Sequence, residues 1–144
     1  MKKSLKTKVR GLSKEAWEKL TEWCKASKDL YNQSLYHLRN VEHVSYNQLD
    51  KVMKVKENLE GAVNYRRLKA GVAQQTLRRL CSNYDNFFRA LEDYKVNPSK
   101  YKGKPRSPKY QKRTRYNLIF DSQRFQVKEG WVWLDKAIPN MLQG

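Results

Sequence analysis

The sequence has few acidic residues. Only 14 of its 144 residues are Asp or Glu, against 31 Lys or Arg, so the formal net charge is +17. An excess of one sign destabilises a compact chain by self-repulsion and suits a polyanionic partner. Nucleic acid is the first such partner to consider, and an anionic membrane surface is the second.

Long apolar runs are also absent, and the mean hydropathy is −0.95. No stretch approaches the roughly 20 apolar residues that a membrane-spanning helix needs. The basic N-terminus, MKKSLKTKVRG, is not followed by the apolar segment of a signal peptide. These patterns predict a protein inside a cell with no membrane partner.

Cysteine and histidine are scarce. Cys24 and Cys81 have no C-x-x-C spacing and fall on apolar helical positions, which predicts buried free thiols. His37 and His43 lack the i, i+4 spacing of a helical metal pair. The acids are scattered, whereas two-metal phosphodiester cleavage needs carboxylates that converge on metals about 4 Å apart. The sequence therefore predicts no metal site, no cofactor and no catalytic residue.

Apolar spacing predicts three helices. Ser13 is a candidate N-cap for a helix over about 13–40, and Ser45 with Gln48 forms a capping box for a shorter helix that Gly61 stops. The clearest helix spans Gly71 to Tyr94. The first helix buries a predicted stripe of Trp17, Leu20, Cys24, Tyr31, Leu35 and Leu38. The last buries a predicted stripe of Leu77, Leu80, Cys81, Tyr84, Phe87, Phe88 and Leu91.

Strand patterns lie on both sides of these helices. Ser4 to Gly11 alternates apolar and cationic residues and predicts a half-exposed strand that ends at Gly11. Alternation resumes over 116–120, 125–127 and 131–135, with a hairpin turn predicted at Glu129–Gly130. The order strand, helices, strands predicts an α+β fold in which a helical insertion splits a small β domain.

A cationic stretch joins the last helix to the later strands. Residues 95–115 contain nine Lys or Arg and no acid, with Tyr101 and Tyr110 interleaved. Lysine and arginine neutralise phosphates and release counterions, and tyrosine rings stack on bases. Pro98, Pro105 and Pro108 disfavour helix here and lower the cost of ordering the segment. The stretch is therefore predicted to bind phosphates, and a solvated linker is the alternative.

Several motifs recur here in the order seen in a known family. They are LYNQSL at 30–35, VSYNQL at 44–49, AQQTLRRL and NYDNFFRAL within 73–91, GKPRSPKY at 103–110 and VKEGWVWLDKA at 127–137. With these motifs, almost the whole chain resembles the N-terminal third of TnpB proteins, the transposon-encoded RNA-guided nucleases also known as OrfB. The resemblance extends to the relatives of these proteins, the compact type V CRISPR effectors.

The resemblance implies two parts. Residues 1–12 would form the first strand of an oligonucleotide-binding-type β-barrel, the wedge domain, and residues 96–144 the basic connector and the remaining wedge strands. Residues 13–95 would form a helical recognition domain. The family's RuvC-like nuclease with its magnesium, and its zinc ribbon, have no room in this chain, so the chain alone is not expected to be an enzyme.

The last residues depart from the family pattern. Asp135 stands where the family usually has proline, and the chain stops before the barrel should close. A fragment, a natural short form and one half of a split protein all remain open. A second chain that carries the nuclease half is one source of the missing strands, since an open barrel leaves strand edges unpaired.

The resemblance also implies partners and sites. In the family these parts hold the scaffold of a guide RNA and read a short motif beside a double-stranded DNA target, in the cytoplasm of a prokaryotic or phage-infected cell. The predicted RNA-binding residues are Lys100, Tyr101, Lys102, Lys104, Arg106, Lys109, Tyr110, Lys112, Arg113, Arg115, Arg78, Arg79 and Arg89. The predicted motif-reading residues are Tyr46, Gln74, Gln75, Asp121, Ser122 and Gln123.

Two other functions fit the composition. One is a stand-alone sequence-specific DNA-binding regulator, and the other is a structural RNA-binding protein. RNA that copurifies with the chain would favour guide-RNA binding over the regulator. A regulator would instead bind duplex DNA after nuclease treatment.

Overall fold

Three helices and a small sheet make up the fold. The computed structural model describes residues 4, 6, 8–121, 123, 125–128, 131–134 and 141–143. The helices are α1 (Lys14–Asn40), α2 (Tyr46–Met53) and α3 (Ala70–Val96). The strands are β1 (Val9–Arg10), β2 (Gln126–Lys128), β3 (Trp131–Trp133) and β4 (Met141–Gln143), and 3-10 turns form at Asn64–Arg67 and Pro98–Lys100. The predicted α+β class is confirmed.

The sheet joins the two ends of the described chain. Its strand order is β1-β4-β3-β2, with antiparallel pairing throughout and Val9 opposite Gln143. All three helices lie between β1 and β2 in the chain. Lys128 pairs with Trp131, and the predicted turn at 129–130 lies outside the described residues.

The first strand is shorter than its alternation predicted. Ser4, Lys6 and Lys8 have no strand structure, and pairing begins at Val9. Gly11 ends the strand as predicted, with a φ of 74° that an L side chain rarely adopts. A period-two pattern marks where a strand is possible, but the ladder extends only as far as its partner does.

Helix α1 begins where the sequence predicted. The Ser13 hydroxyl accepts a hydrogen bond from the Ala16 N–H at 3.1 Å, which satisfies one of the free donors of the first turn. The prediction that Trp17 is buried is wrong, because its side chain is 53% exposed. Trp23 fills the core instead, at 2% exposure. Trp17 lies 18 residues, or five full turns, before the fully buried Leu35 and therefore shares its helix face, so burial there depends on what packs against each end of α1 and not on the period alone.

Helix α2 is shorter than predicted. Ser45 is at the N-cap position, but its side chain makes no capping hydrogen bond, so the predicted capping box is not formed. The helix ends at Met53 rather than at Gly61. Gly61 instead has a φ of 82° in the turn where its N–H donates to the Asn58 carbonyl. The glycine signal was correct about a tight turn and wrong about which element it ends.

Helix α3 packs against α1 across the core. Leu77, Leu80 and Tyr84 are buried as predicted, whereas Phe88 is 43% exposed. The Ser27 and Thr76 hydroxyls lie 3.1 Å apart at the centre of this contact. Among the described residues, no helix is long and apolar enough to cross a membrane.

His37 is a buried titratable group in α1. Its side chain is 6% exposed, and Nδ1 lies 3.2 Å from the Lys56 ammonium. Burial and the neighbouring Lys56 charge lower the pKa of His37 below its usual 6.5, and Glu42 opposes this shift only in part. His37 is therefore neutral in the folded protein at neutral pH.

This histidine predicts acid sensitivity. Below pH 6.5 the unfolded chain binds a proton that folded His37 resists, so stability should fall with pH until the folded pKa is passed. Because a single proton is involved, the free energy of unfolding can change by at most about 1.4 kcal/mol per pH unit. Urea unfolding measures this pH dependence, at several pH values above the range in which the carboxylates titrate. His37→Gln should flatten the slope. An unchanged slope in His37→Gln would refute the assignment.

Candidate nucleic-acid interface

The cationic connector (residues 97–120) is docked on the helices. It runs back along α1, against the direction of that helix. Arg39 Nη2 donates to Ser107 Oγ at 2.9 Å and to the Pro108 carbonyl. Further on, the Tyr116 N–H donates to the Cys24 carbonyl at 3.0 Å. The connector therefore has a fixed path from the end of α3 towards the sheet.

An amide pair fixes the middle of this path. The Gln111 N–H donates to Asn32 Oδ1 at 2.8 Å, and Asn32 Nδ2 donates to the Gln111 carbonyl at 3.0 Å. The side chain of Asn32 thus pairs with one backbone unit of the connector as a neighbouring strand would. The side chain of one residue, Asn32, therefore satisfies both the backbone N–H and the backbone C=O of Gln111.

Asn32→Ala should therefore destabilise the docked connector. It leaves a half-buried N–H and C=O without partners, at a cost of about 1–3 kcal/mol. Urea unfolding measures the free energy, and proteolysis within 102–113 should become faster. Gln111→Ala is the control, since the pair uses only the backbone of Gln111 and should survive. Equal stability in the two variants would contradict this account.

Aromatic contacts hold the last part of the connector. The Tyr116 ring centroid is 4.8 Å from that of Tyr31, and Phe120 lies 6.4 Å from Trp23. Burial raises the pKa of the Tyr116 hydroxyl. The strand predicted over 116–120 is wrong, because these residues form no ladder. The alternation is real, but it places Tyr116, Leu118 and Phe120 against the helices.

Beyond Lys100, seven cations of the connector are exposed. In the described part of the chain, none of them has an acidic partner at ion-pair distance. Their backbone is fixed while their charges remain in solvent, so they form a cationic ridge that consists of Lys102, Lys104, Arg106, Lys109, Lys112, Arg113 and Arg115.

Two predicted RNA-binding residues have internal partners. Lys100 Nζ and Tyr101 Oη both reach Asp93 Oδ2, at 3.2 and 2.5 Å. Hydrogen bonds to Asp93 lower the pKa of its carboxyl to about 2. The bond from the Tyr101 hydroxyl has the largest effect, and those from Asn97 and Lys100 add to it. This cluster follows the 3-10 turn at Pro98–Lys100, a helical turn that the prolines were not expected to permit. It fixes where the connector leaves α3.

The predicted arginines of α3 differ in their surroundings. The Arg78 guanidinium lies 4.2 Å from the Tyr46 ring centroid, and that of Arg79 lies 5.3 Å from the Tyr116 ring centroid. Arg89 is exposed. Stacking orients a guanidinium and leaves its N–H groups able to bind an anion.

Two grooves lie between α3 and the connector. One, of about 430 Å³, is lined by Tyr31, Asn83, Asn86, Phe87, Arg106, Pro108, Lys109, Tyr110 and Gln111. The other, of about 740 Å³, is lined by Arg79 and by Arg113 to Ile119 with Cys24. Tyr31 lines the first and Tyr116 the second, so their ring contact lies where the grooves approach each other. Cations and aromatic rings line both grooves, a mixture suited to a polynucleotide.

Two predicted motif-reading residues surround one buried network. The Tyr65 hydroxyl donates to Asp50 Oδ1 at 2.8 Å, and the Gln74 amide lies near enough to this hydroxyl to act on its pKa. Burial and the Asp50 contact raise the pKa of Tyr65 well above its usual value. Burial, assisted by Asp50, also raises the pKa of Tyr46. Gln74 and Gln75 are both half-buried on α3.

The other predicted readers lie elsewhere. Asp121 accepts a hydrogen bond from the exposed Gln123 at 3.2 Å, directly after Phe120, which packs on Trp23. Ser122 lies outside the described residues. Tyr46 lines a pocket with Leu38, and Trp23 and Leu38 are separated by about 22 Å along α1. Tyr46 and Gln74 thus border the Asp50–Tyr65 network, whereas Asp121 and Gln123 lie at the end of the connector.

Both cysteines are free but only half-buried, which corrects the prediction of buried thiols. Burial raises the pKa of Cys24 and, with the nearby Asp85 charge, raises that of Cys81 to about 11. Neither thiol is activated for nucleophilic chemistry. Across the described ranges, no group of three or more His, Cys, Asp or Glu is placed to hold a metal ion.

Sequence reasoning gave no role to Asn32 or Arg39. Asn32 is a polar residue between buried Tyr31 and Leu35, and Arg39 lies in the last turn of α1. A polar side chain beside a buried stripe is the one available signal, but it names no partner 79 positions away. No protein-family model matches this chain, and a search of curated proteins found no match.

Proposed function

We propose that this chain is the nucleic-acid-binding N-terminal part of a transposon-encoded, RNA-guided DNA endonuclease. It binds the scaffold of a guide RNA and reads a short motif beside a double-stranded DNA target. The observation that carries the proposal is the cationic ridge, whose seven charges are exposed on a backbone held by Arg39, Asn32 and the Cys24 carbonyl.

A fixed ridge suits phosphate binding better than a flexible tail. A tail loses backbone entropy when it binds, at about 1–2 kcal/mol for each residue that becomes ordered. Here that ordering is supplied by folding, so the attraction to phosphate is retained as affinity. Counterion release adds a salt-dependent gain for each phosphate that is neutralised.

The proposed function divides the chain into two parts. Residues 1–12 supply the first strand of an oligonucleotide-binding-type β-barrel, the wedge, and residues 96–144 supply the basic connector and the remaining wedge strands. Residues 13–95 form the helical recognition domain. The pairing of β1 with β4 supports this division, since it places the first strand in the same sheet as the strands that follow the helices.

The proposal assigns no reaction to this chain alone. The nuclease, with its magnesium and zinc, would be supplied by the remainder of the protein or by a second chain, and the complex would act in the cytoplasm. An assay of plasmid cleavage with added RNA and magnesium tests this assignment. Cleavage that is lost only on mutation of an Asp or Glu of this chain would refute it.

Gln74 is the most specific test of motif reading. A glutamine amide pairs bidentately with adenine, and Gln74 is half-buried beside Tyr65. In a randomised-motif selection with the complete complex, Gln74→Ala should cost about 1–3 kcal/mol at a single motif position. Gln75→Ala, at the neighbouring half-buried position, is the comparison. A loss spread equally over all sequences would remove Gln74 from the readers.

Purification of the chain from its host, with and without nuclease treatment, tests the proposal as a whole. A guide-RNA binder should copurify with one discrete RNA species, whose sequence would identify the guide. A structural RNA-binding protein would bring ribosomal or other abundant RNA instead. Nanomolar binding to duplex DNA without any RNA would favour a stand-alone regulator and overturn the proposal.

A further inference from the structure

The groove of about 430 Å³ between α3 and the connector has features that phosphate binding alone does not require. Its walls include aromatic Phe87 from α3 and aromatic Tyr110 from the connector, the second 38% exposed. Rings of this kind add nothing to the attraction between a cation and a phosphate. They do provide flat apolar surfaces, on which bases of any sequence stack.

Amide groups lie on the same wall as Phe87. Asn83 and Asn86 are three positions apart on α3 and therefore lie on one face of the helix. Asn83 Nδ2 donates to the Tyr31 hydroxyl at 2.9 Å, which leaves its carbonyl oxygen as an acceptor. Asn86 is exposed, and its side chain makes no hydrogen bond to any described residue. Such amides match the hydrogen-bonding edge of a base.

Cations complete the opposite wall. Arg106 and Lys109 line the groove beside Tyr110, and both side chains are exposed. The Arg39 guanidinium lies 5.0 Å from the Tyr110 ring centroid and holds the ring in place. The groove volume of about 430 Å³ is within the range of sites for small organic groups.

We propose that this groove holds one unpaired base of the bound RNA. The base stacks on Tyr110 or Phe87, its edge meets the amides of Asn83 and Asn86, and the adjoining phosphates contact Arg106 and Lys109. Unpaired bases can enter such a site because they are not already stacked in a duplex. This inference rests on the proposed RNA-binding function and adds a base-specific site to it.

Binding of the full chain to two probes tests the proposal. One is a single-stranded oligouridylate of about 12 nucleotides, and the other is an abasic ribose-phosphate chain of the same length and charge. The chain should bind the oligouridylate about tenfold more tightly at equal salt. Tyr110→Leu and Asn86→Ala should each reduce that ratio, and Asn86→Ala removes no described hydrogen bond. Tyr36→Leu, at a tyrosine of α1 that is 55% exposed, should not change it.

The charge variant separates this site from general RNA binding. Arg106→Gln combined with Lys109→Gln should weaken both probes equally and leave the ratio unchanged. Equal, salt-dependent binding of the two probes by the unaltered chain would overturn the base site and leave the proposed function in place. Binding of neither probe at low salt would overturn both.

Discussion

Replacing Lys104, Lys112 and Arg113 with Gln should lower the slope of log affinity for RNA against log salt by about 2. Each phosphate contact to a single strand contributes about 0.7 to that slope. These three side chains are exposed and have no acidic partner among the described residues, so their removal costs the fold little. Titrations at several salt concentrations measure the slope, and affinity should fall for all RNA sequences together.

A matched variant distinguishes local contacts from net charge. Lys14, Lys25 and Lys51 are also exposed. Their replacement with Gln removes an equal number of positive charges, but from the helices and not from the cationic ridge. This variant should retain most of the original slope, because it leaves the cationic ridge intact. Equal losses in the two variants would mean that RNA responds only to the total charge, and the ridge would have no special role.

Trp23→Ala should cost about 3–5 kcal/mol of unfolding free energy. The side chain is 2% exposed and contacts Phe120, so truncation leaves a cavity between α1 and the connector. In a domain of this size the loss corresponds to roughly 10 °C in Tm. Since total stabilities are about 5–15 kcal/mol, much of the folded population is at risk.

Trp17→Ala is the comparison for this prediction. Trp17 lies six positions earlier in the same helix, is 53% exposed and has the Arg115 guanidinium 5.8 Å from its ring centroid. Its loss should cost about 1 kcal/mol or less, the size of an exposed cation–π contact. Thermal unfolding of both variants measures the difference. Similar destabilisation by the two would show that α1 buries a different face.

The helices were largely predictable because their signals are local. Ser13 caps α1, and the period of Leu77, Leu80 and Tyr84 marks the buried face of α3. Failures occurred where a distant partner decides the outcome. Tyr116 to Phe120 alternates like a strand, but the helices provide a packing surface there and no neighbouring strand does. Gly61, by contrast, marked a local turn closed by Asn58, and the error there was to treat the turn as the end of α2.

The candidate site was predictable in its charge and not in its geometry. A run of lysine and arginine without acids is visible in the sequence, and so is the presence of tyrosines within it. That Asn32 holds the run in place, or that Asn83 and Asn86 face Tyr110 across a groove, depends on contacts between distant segments. Composition therefore favours a polyanionic partner, and the fold determines where each contact could form.

The pairing of Val9 with Gln143 has a consequence for synthesis on the ribosome. These two residues are 134 positions apart (143 − 9), so β1 has no ladder partner in β4 until the residues of β4 have been made. At about 5–20 residues per second, the segment from Val96 to Gln143 takes roughly 2–9 s to appear. The helices can pack during that interval, since helix contacts form within milliseconds. The helical layer is thus the earlier folding unit of this region, and the sheet can close only after the helices have formed.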